Sequence, residues 1–126
     1  LYYTPLERES FAAQYTAYKK YIVPKLVFFA FDGEKPVGFL FTIPDYNRLS
    51  YGESADTLIL KTIGVLPEYR GLGLGGALIN LARKEGIRLG MKRAIHALMY
   101  SENISRKFNP SAGIFRTYTL FRKELL

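Results

Sequence analysis

The sequence has 126 residues, which is enough for one hydrophobic core and too few for two, so we expect a single domain. Its net charge of +7 comes from scattered residues without a nucleic-acid-binding motif, which favours a polyanionic small ligand over DNA or RNA. The absence of cysteine excludes thiol chemistry, one histidine excludes a Cys/His zinc site, and no apolar run is long enough to span a membrane, so we expect a cytoplasmic domain.

The first elements that the sequence predicts are a helix and a hairpin. Residues 4–7, Thr-Pro-Leu-Glu, have the pattern of a capping box and predict a helix that continues to about Tyr21. Pro24 ends it, because proline cannot continue a helix. Residues 26–31 are a short apolar run, and residues 36–43 follow after an Asp-Gly turn, which predicts two paired strands.

A polar segment, residues 44–56, joins this hairpin to the next strand. A loop of this length is often part of a functional site, but it can equally be an ordinary solvated connection. The two interpretations remain open at this point.

A glycine-rich turn at the centre of the chain carries the strongest functional pattern. Residues 57–65 are apolar and β-branched, which predicts a buried strand, and apolar residues after Leu74 recur at helical spacing. Between them, Arg70-Gly71-Leu72-Gly73-Leu74-Gly75-Gly76 leaves backbone N–H groups uncovered, and a helix start adds unpaired donors. These donors and the Arg70 guanidinium predict a cradle for phosphate.

The remaining chain predicts two further strands. Residues 93–99 are apolar, and His96 among them is predicted as a core or edge residue rather than as a base. Residues 114–123 have apolar side chains at both even and odd positions and predict a final strand.

The phosphate cradle differs from two common nucleotide loops. Gly71-x-Gly73-x-x-Gly76 has dinucleotide-fingerprint spacing, but the acidic residue expected about 20 residues later is absent, as is the Gly-Lys-Ser/Thr of a Walker loop. What remains is Arg70-x-x-Gly73-x-Gly75 after a strand ending Val65-Leu66-Pro67. This resembles the acyl-CoA pyrophosphate loop of the GNAT superfamily of N-acetyltransferases, Gln/Arg-x-x-Gly-x-Gly/Ala.

The resemblance extends over roughly residues 26–126 and implies both a fold and a co-substrate. The implied fold is α/β, with a mixed, mostly antiparallel sheet that is flanked by helices and splayed between its two central strands. Acetyl-CoA would enter this splay as co-substrate, with its pantetheine arm paired to backbone like an added strand, and no metal is implied. The implied contacts with coenzyme A are Ile63, Gly64, Val65, Arg70, Gly71, Leu72, Gly73, Leu74, Gly75, Gly76, Asn103, Ser105 and Arg106.

The catalytic positions of the family do not match this sequence directly. The usual glutamate base falls near Thr57, so we predict the adjacent Asp56 as the general base, unless it only starts the strand as a turn residue. The usual tyrosine acid falls on Pro110, so we predict Tyr118 as the acid, with core packing as its alternative.

The start of the chain also departs from the resemblance. Family members usually open with one more strand before residues 26–31, which leaves an apolar strand edge uncovered here. We therefore expect either that the sequence is the C-terminal portion of a longer protein with an upstream domain or that the edge pairs in a homodimer.

The resemblance therefore implies an N-acetyltransferase that transfers an acyl group, most simply acetyl, from acyl-CoA to an amine by direct attack. The alternative is a catalytically degenerate acyl-CoA-binding module within a larger protein, which the unmatched catalytic positions favour. Neither nucleic acid nor a membrane is an expected partner.

Overall fold

The computed structural model describes residues 7–97 and 112–119. In chain order it contains helix α1 (Arg8–Tyr18), strands β1 (Val27–Asp32) and β2 (Lys35–Pro44), helix α2 (Tyr46–Ser50), strand β3 (Thr57–Val65), helix α3 (Leu74–Arg88) and strand β4 (Arg93–His96). Within these ranges no helix is long and apolar enough to cross a membrane.

The four strands form one mixed sheet in the order β1-β2-β3-β4. Both the β1–β2 and the β2–β3 pairs are antiparallel, whereas β3 and β4 are parallel and are joined through α3. The prediction of a mostly antiparallel α/β sheet flanked by helices is therefore confirmed. Strand β1 lies at the edge of this described sheet.

Helix α3 packs closely against one face of the sheet because two glycines leave room for it. A Cβ on Gly38 of β2 would lie 3.3 Å from side-chain atoms of both Leu74 and Leu78. At the other end of the helix, a Cβ on Gly86 would lie 3.2 Å from the Leu58 side chain. The buried core between helix and sheet consists of Leu26, Leu40, Leu58, Leu60, Leu78, Ile79 and Ala82.

Helix α1 contacts the opposite face of the sheet through aromatic side chains. The ring of Tyr15 lies 5.6 Å from the ring of Phe41, edge to face, and 4.4 Å from that of Phe11. The predicted capping box is wrong, because the helix begins only at Arg8 and Glu7 is extended, with φ −62° and ψ 152°. A capping box needs that glutamate inside the first helical turn.

Two further predictions differ from the structure. The polar segment between β2 and β3 contains the short helix α2, and an ion pair between Arg48 and Glu53 holds it. The predicted final strand is wrong over residues 114–119, which have no strand structure. Ile114 and Phe115 are exposed there, and an apolar run forms a strand only where a neighbouring strand pairs with it.

Candidate active site

Strands β3 and β4 pair at their beginnings and then separate. Residues 57–60 lie beside residues 93–96, and the N–H of Ala97 donates to the Leu60 carbonyl at 3.1 Å. Beyond that bond, residues 61–65 have β2 on one side and no partner strand on the other among the residues that the structure describes. We call this opening the fork; it is the splay predicted between the central strands.

A β-bulge stands at the closed end of the fork. Phe41 of β2 lies opposite Thr62 and the next residue, Thr42, lies opposite Leu60, which makes Lys61 the extra residue of β3. Because one residue is inserted, the alternation of backbone directions along β3 changes phase at this point.

The bulge determines which backbone groups point into the fork. The N–H of Leu66 donates to Val37 at 3.0 Å, so Leu66 faces β2. Along a strand, the backbone N–H and C=O groups of successive residues point to alternate sides. The groups of Gly64 therefore also point to β2, and those of Ile63 and Val65 point into the fork. These are two of the residues predicted to pair with pantetheine.

The glycine turn after β3 has the backbone that the sequence pattern predicted. Gly71 and Gly73 have φ values of 81° and 79°, a left-handed conformation that other residues rarely adopt. Gly73 directly precedes α3 and offers no side-chain cap. The first helical bond in this turn is donated by Ala77, so the N–H groups of residues 74–76 have no acceptor inside the helix. These donors and the positive end of the helix dipole favour an anion.

Arg70 lies at the junction of strand and turn. Its Nε donates to the Val65 carbonyl at 3.1 Å, and the side chain is otherwise exposed. The bond fixes a positive charge beside the start of α3 while the remaining guanidinium N–H groups can still reach a ligand. Leu72, in contrast, points into solvent with 74% of its surface exposed.

Contacts with the β1–β2 hairpin hold the turn in place. The Tyr69 hydroxyl donates to Asp32 Oδ2 at 2.7 Å, a bond that raises the pKa of Tyr69, and Lys35 Nζ lies 3.0 Å from Glu68 Oε1. The same lysine stands 5.4 Å from the centre of the Tyr69 ring. No local sequence pattern predicts these positioning residues, since the paired positions lie 33 and 37 residues apart in the chain.

Asp56, the predicted base, joins the beginnings of β3 and β4. Its Oδ1 accepts hydrogen bonds from Arg93 Nη2 at 2.6 Å and from Thr57 Oγ1 at 3.2 Å. The bond from Arg93 is the main reason why the pKa of Asp56 is lowered, and a lowered pKa makes the carboxylate a weaker base. About 16 Å of strand separate it from the bulge at Lys61.

Tyr118, the predicted acid, lies in the second described range, residues 112–119. Tyr118 is 66% exposed, and its hydroxyl accepts a hydrogen bond from Arg116 at 3.2 Å. Asn103, Ser105 and Arg106 lie outside the described residues. Within the described ranges, no group of acidic or histidine side chains is arranged to hold a metal ion.

A family model matches most of the chain. Residues 2–109 match the family described as Acetyltransferase (GNAT) family. No curated protein sequence matched the chain.

Several solved acetyltransferases have a similar fold. The aminoglycoside N-acetyltransferase AAC(6')-Iy in complex with CoA is 19% identical with a TM-score of 0.66, and the match covers 90% of this chain and 88% of that one. The apo aminoglycoside 6'-N-acetyltransferase AAC(6')-IG from Acinetobacter haemolyticus is 20% identical with a TM-score of 0.62, over 98% and 85% of the two chains. The ribosomal-protein-alanine N-acetyltransferase from Brucella melitensis biovar Abortus 2308 is 16% identical with a TM-score of 0.66, over 93% and 82%. At these identities the likeness is one of fold.

Proposed function

The chain belongs to the GNAT acetyltransferase family, and on that premise we propose that it transfers an acetyl group from acetyl-CoA to an amine. The observation that carries this proposal is the position of two features on one strand. The fork opens at Leu60, and the uncapped glycine turn follows Val65, about 16 Å further along β3. An extended thioester with a phosphorylated end fits such an arrangement.

In the proposed complex, the pyrophosphate lies on the N–H groups of the glycine turn, from Arg70 to Gly76. The pantetheine arm runs back along β3 and bonds to the outward backbone groups of Ile63 and Val65, with Gly64 between them. The exposed Gly64 supports this course, since a Cβ there would meet nothing within 4 Å. Asn103, Ser105 and Arg106 are proposed as contacts from the other side of the fork.

The proposed reaction is direct acyl transfer. The amine nitrogen attacks the thioester carbonyl carbon, the C–S bond of the tetrahedral intermediate breaks, and one proton passes from nitrogen to sulfur. With no cysteine in the chain, an acyl-cysteine intermediate is impossible. The protein contributes by holding both reactants in position and by directing a backbone N–H of β3 at the developing oxyanion.

The chemical class of the acyl acceptor is inferred from the proposed reaction, because one fold can serve many different substrates. Structures of similar fold include enzymes for aminoglycosides and for ribosomal-protein alanine, which present amines on very different molecules. We propose a primary amine and test it with a panel of aminoglycosides, polyamines and peptides with a free N terminus.

Release of free thiol from acetyl-CoA measures turnover directly, and the cysteine-free protein gives no background with a thiol reagent. We expect at least one amine to stimulate thiol release above hydrolysis. Tight coenzyme A binding with no stimulation across the panel would instead favour a binding module without turnover. Failure to bind coenzyme A in calorimetry would overturn both interpretations.

A further inference from the structure

The only histidine of the chain stands at the closed end of the fork. His96 is the last residue of β4 and lies beside Leu60, directly before Ala97, whose N–H makes the last bond between the two strands within residues 7–97. From this point β3 continues through the bulge at Lys61 toward the glycine turn. Any ligand that fills the fork from the turn inward therefore ends beside His96.

The imidazole of His96 has a buried nitrogen without a partner. Its Nε2 is buried and makes no hydrogen bond within the part of the chain that the structure describes. Leaving such a group unpaired costs about 1–3 kcal/mol, a cost that a hydrogen bond to a ligand in the fork would remove.

The length of the fork indicates which part of acyl-CoA would reach His96. From Val65 back to Leu60 the strand spans about 16 Å, so an arm that starts at the turn and follows the backbone covers this distance with a few peptide-sized units. The phosphates remain at the turn, and the sulfur with its acyl group is the end that arrives at the imidazole.

We propose that His96 is a catalytic residue, whose Nε2 takes the proton from the attacking amine and delivers it to the departing thiolate. The inference rests on the proposed acetyl transfer. In the first half of the step, the unprotonated Nε2 accepts a proton from the ammonium nitrogen of the tetrahedral intermediate. When the C–S bond breaks, the sulfur takes the electron pair and then this proton, which leaves neutral histidine, an amide and free coenzyme A.

The surroundings of His96 suit this relay. Burial is the main cause that lowers the pKa of His96, and Arg83 on α3 lowers it further. Leu60 beside it on β3 is apolar, and the Lys61 side chain is exposed. The lowered pKa leaves the imidazole neutral and able to accept a proton near pH 7, and its protonated form is acidic enough to protonate the departing thiolate.

Because there is one histidine, NMR can follow its imidazole without assignment. We expect coenzyme A to shift these signals and 3′-phospho-ADP, which lacks the pantetheine arm, to leave them almost unchanged while still binding in calorimetry. Equal shifts from both ligands, or none from bound coenzyme A, would overturn the position of His96 beside the sulfur.

Kinetics tests the relay itself. His96→Gln keeps a polar side chain that cannot titrate, and we expect it to lower kcat by about 10²–10⁴-fold with an unchanged Kd for coenzyme A. Arg83→Gln serves as the companion variant, since removal of the cation raises the histidine pKa and moves the acidic limb of the kcat profile to higher pH. A normal kcat in His96→Gln, or an unmoved limb in Arg83→Gln, would refute the relay.

The outcomes also separate this inference from the proposed function. One possible result is that no amine supports turnover in the wild type while coenzyme A still shifts the histidine signals. In that case both the proposed acetyl transfer and the relay are wrong, and His96 only contacts the ligand. If turnover occurs and His96→Gln retains it, the proposed function stands and this inference is wrong.

Discussion

Replacing Gly73 by alanine should destabilise the fold and weaken coenzyme A binding together. Gly73 has φ 79°, and an L-residue in that region costs about 1–2 kcal/mol. Alanine also restricts the unfolded chain, which offsets about 0.4–1 kcal/mol of that cost. Because a Cβ there meets nothing within 4 Å, no clash adds to the strain. The net expectation is a loss of about 1 kcal/mol, or about 4 °C in Tm for a chain of this size.

Gly76→Ala provides a matched control for stability. Gly76 lies three residues further on, inside α3, and a Cβ on it likewise meets nothing within 4 Å. Its φ is not positive, so alanine should gain about 1 kcal/mol from helix propensity alone. The two variants should therefore differ by about 2 kcal/mol in urea unfolding, with opposite signs relative to the wild type.

Calorimetry on the same variants connects the conformation to the ligand. If the left-handed Gly73 aims the first N–H groups of α3 at a pyrophosphate, relaxation of the strained alanine turns them away and the Kd for coenzyme A rises. A Gly73→Ala protein that is as stable as Gly76→Ala and binds coenzyme A normally would refute the argument. Loss of stability with normal binding would separate the turn from the phosphate site.

Four further results are expected. Arg70→Ala should cost about 1.5–3 kcal/mol of coenzyme A affinity in calorimetry, with the remaining binding less sensitive to salt; unchanged affinity would contradict the assignment. Asp56→Asn should lower Tm because it removes the negative charge that pairs with Arg93, and it should keep kcat near the wild-type value, whereas an about 10²–10⁴-fold fall in kcat would establish Asp56 as the general base. Since folding lowers the pKa of His96, the unfolded chain binds its proton more readily, so stability should fall as pH drops below about 6.5; Tm measured between about pH 7 and 5 should be flatter in His96→Gln. Exposed Phe29 and Phe31 on the edge strand β1 should make the chain associate at high concentration in light scattering, unless an upstream segment covers them.

Local patterns in the sequence predicted the strand, the glycine turn and the helix correctly. β3 has the predicted bounds, and Gly73 directly precedes α3 as the spacing of the glycines predicted. Both features depend on residues that are close together in the sequence. Features that depend on a second strand were not predictable in this way. The bulge at Lys61 exists only relative to β2, and the bond from Tyr69 to Asp32 joins positions far apart in the chain.

The two wrong predictions have the same physical origin. The residues at positions 4–7 fit a capping box, and those at 114–119 are rich in the apolar, aromatic and β-branched types that strands favour, yet neither element forms as predicted. Caps and strands are decided by partners that a short window of sequence does not contain.

The bulge makes Lys61 a position of β3 that the pairing with β2 does not require. Leu60 and Thr62 lie opposite two consecutive residues of β2, so Lys61 is the residue left without a partner there. Exchanging the exposed Lys61 for another residue would leave the pairing on both sides of the bulge as it is. Deleting it would place Thr62 directly after Leu60 in a regular ladder, in which Ile63 and Val65 still point into the fork. During divergence of such a chain, this residue can thus be exchanged or lost without turning the hydrogen-bonding edge of the fork away from a ligand.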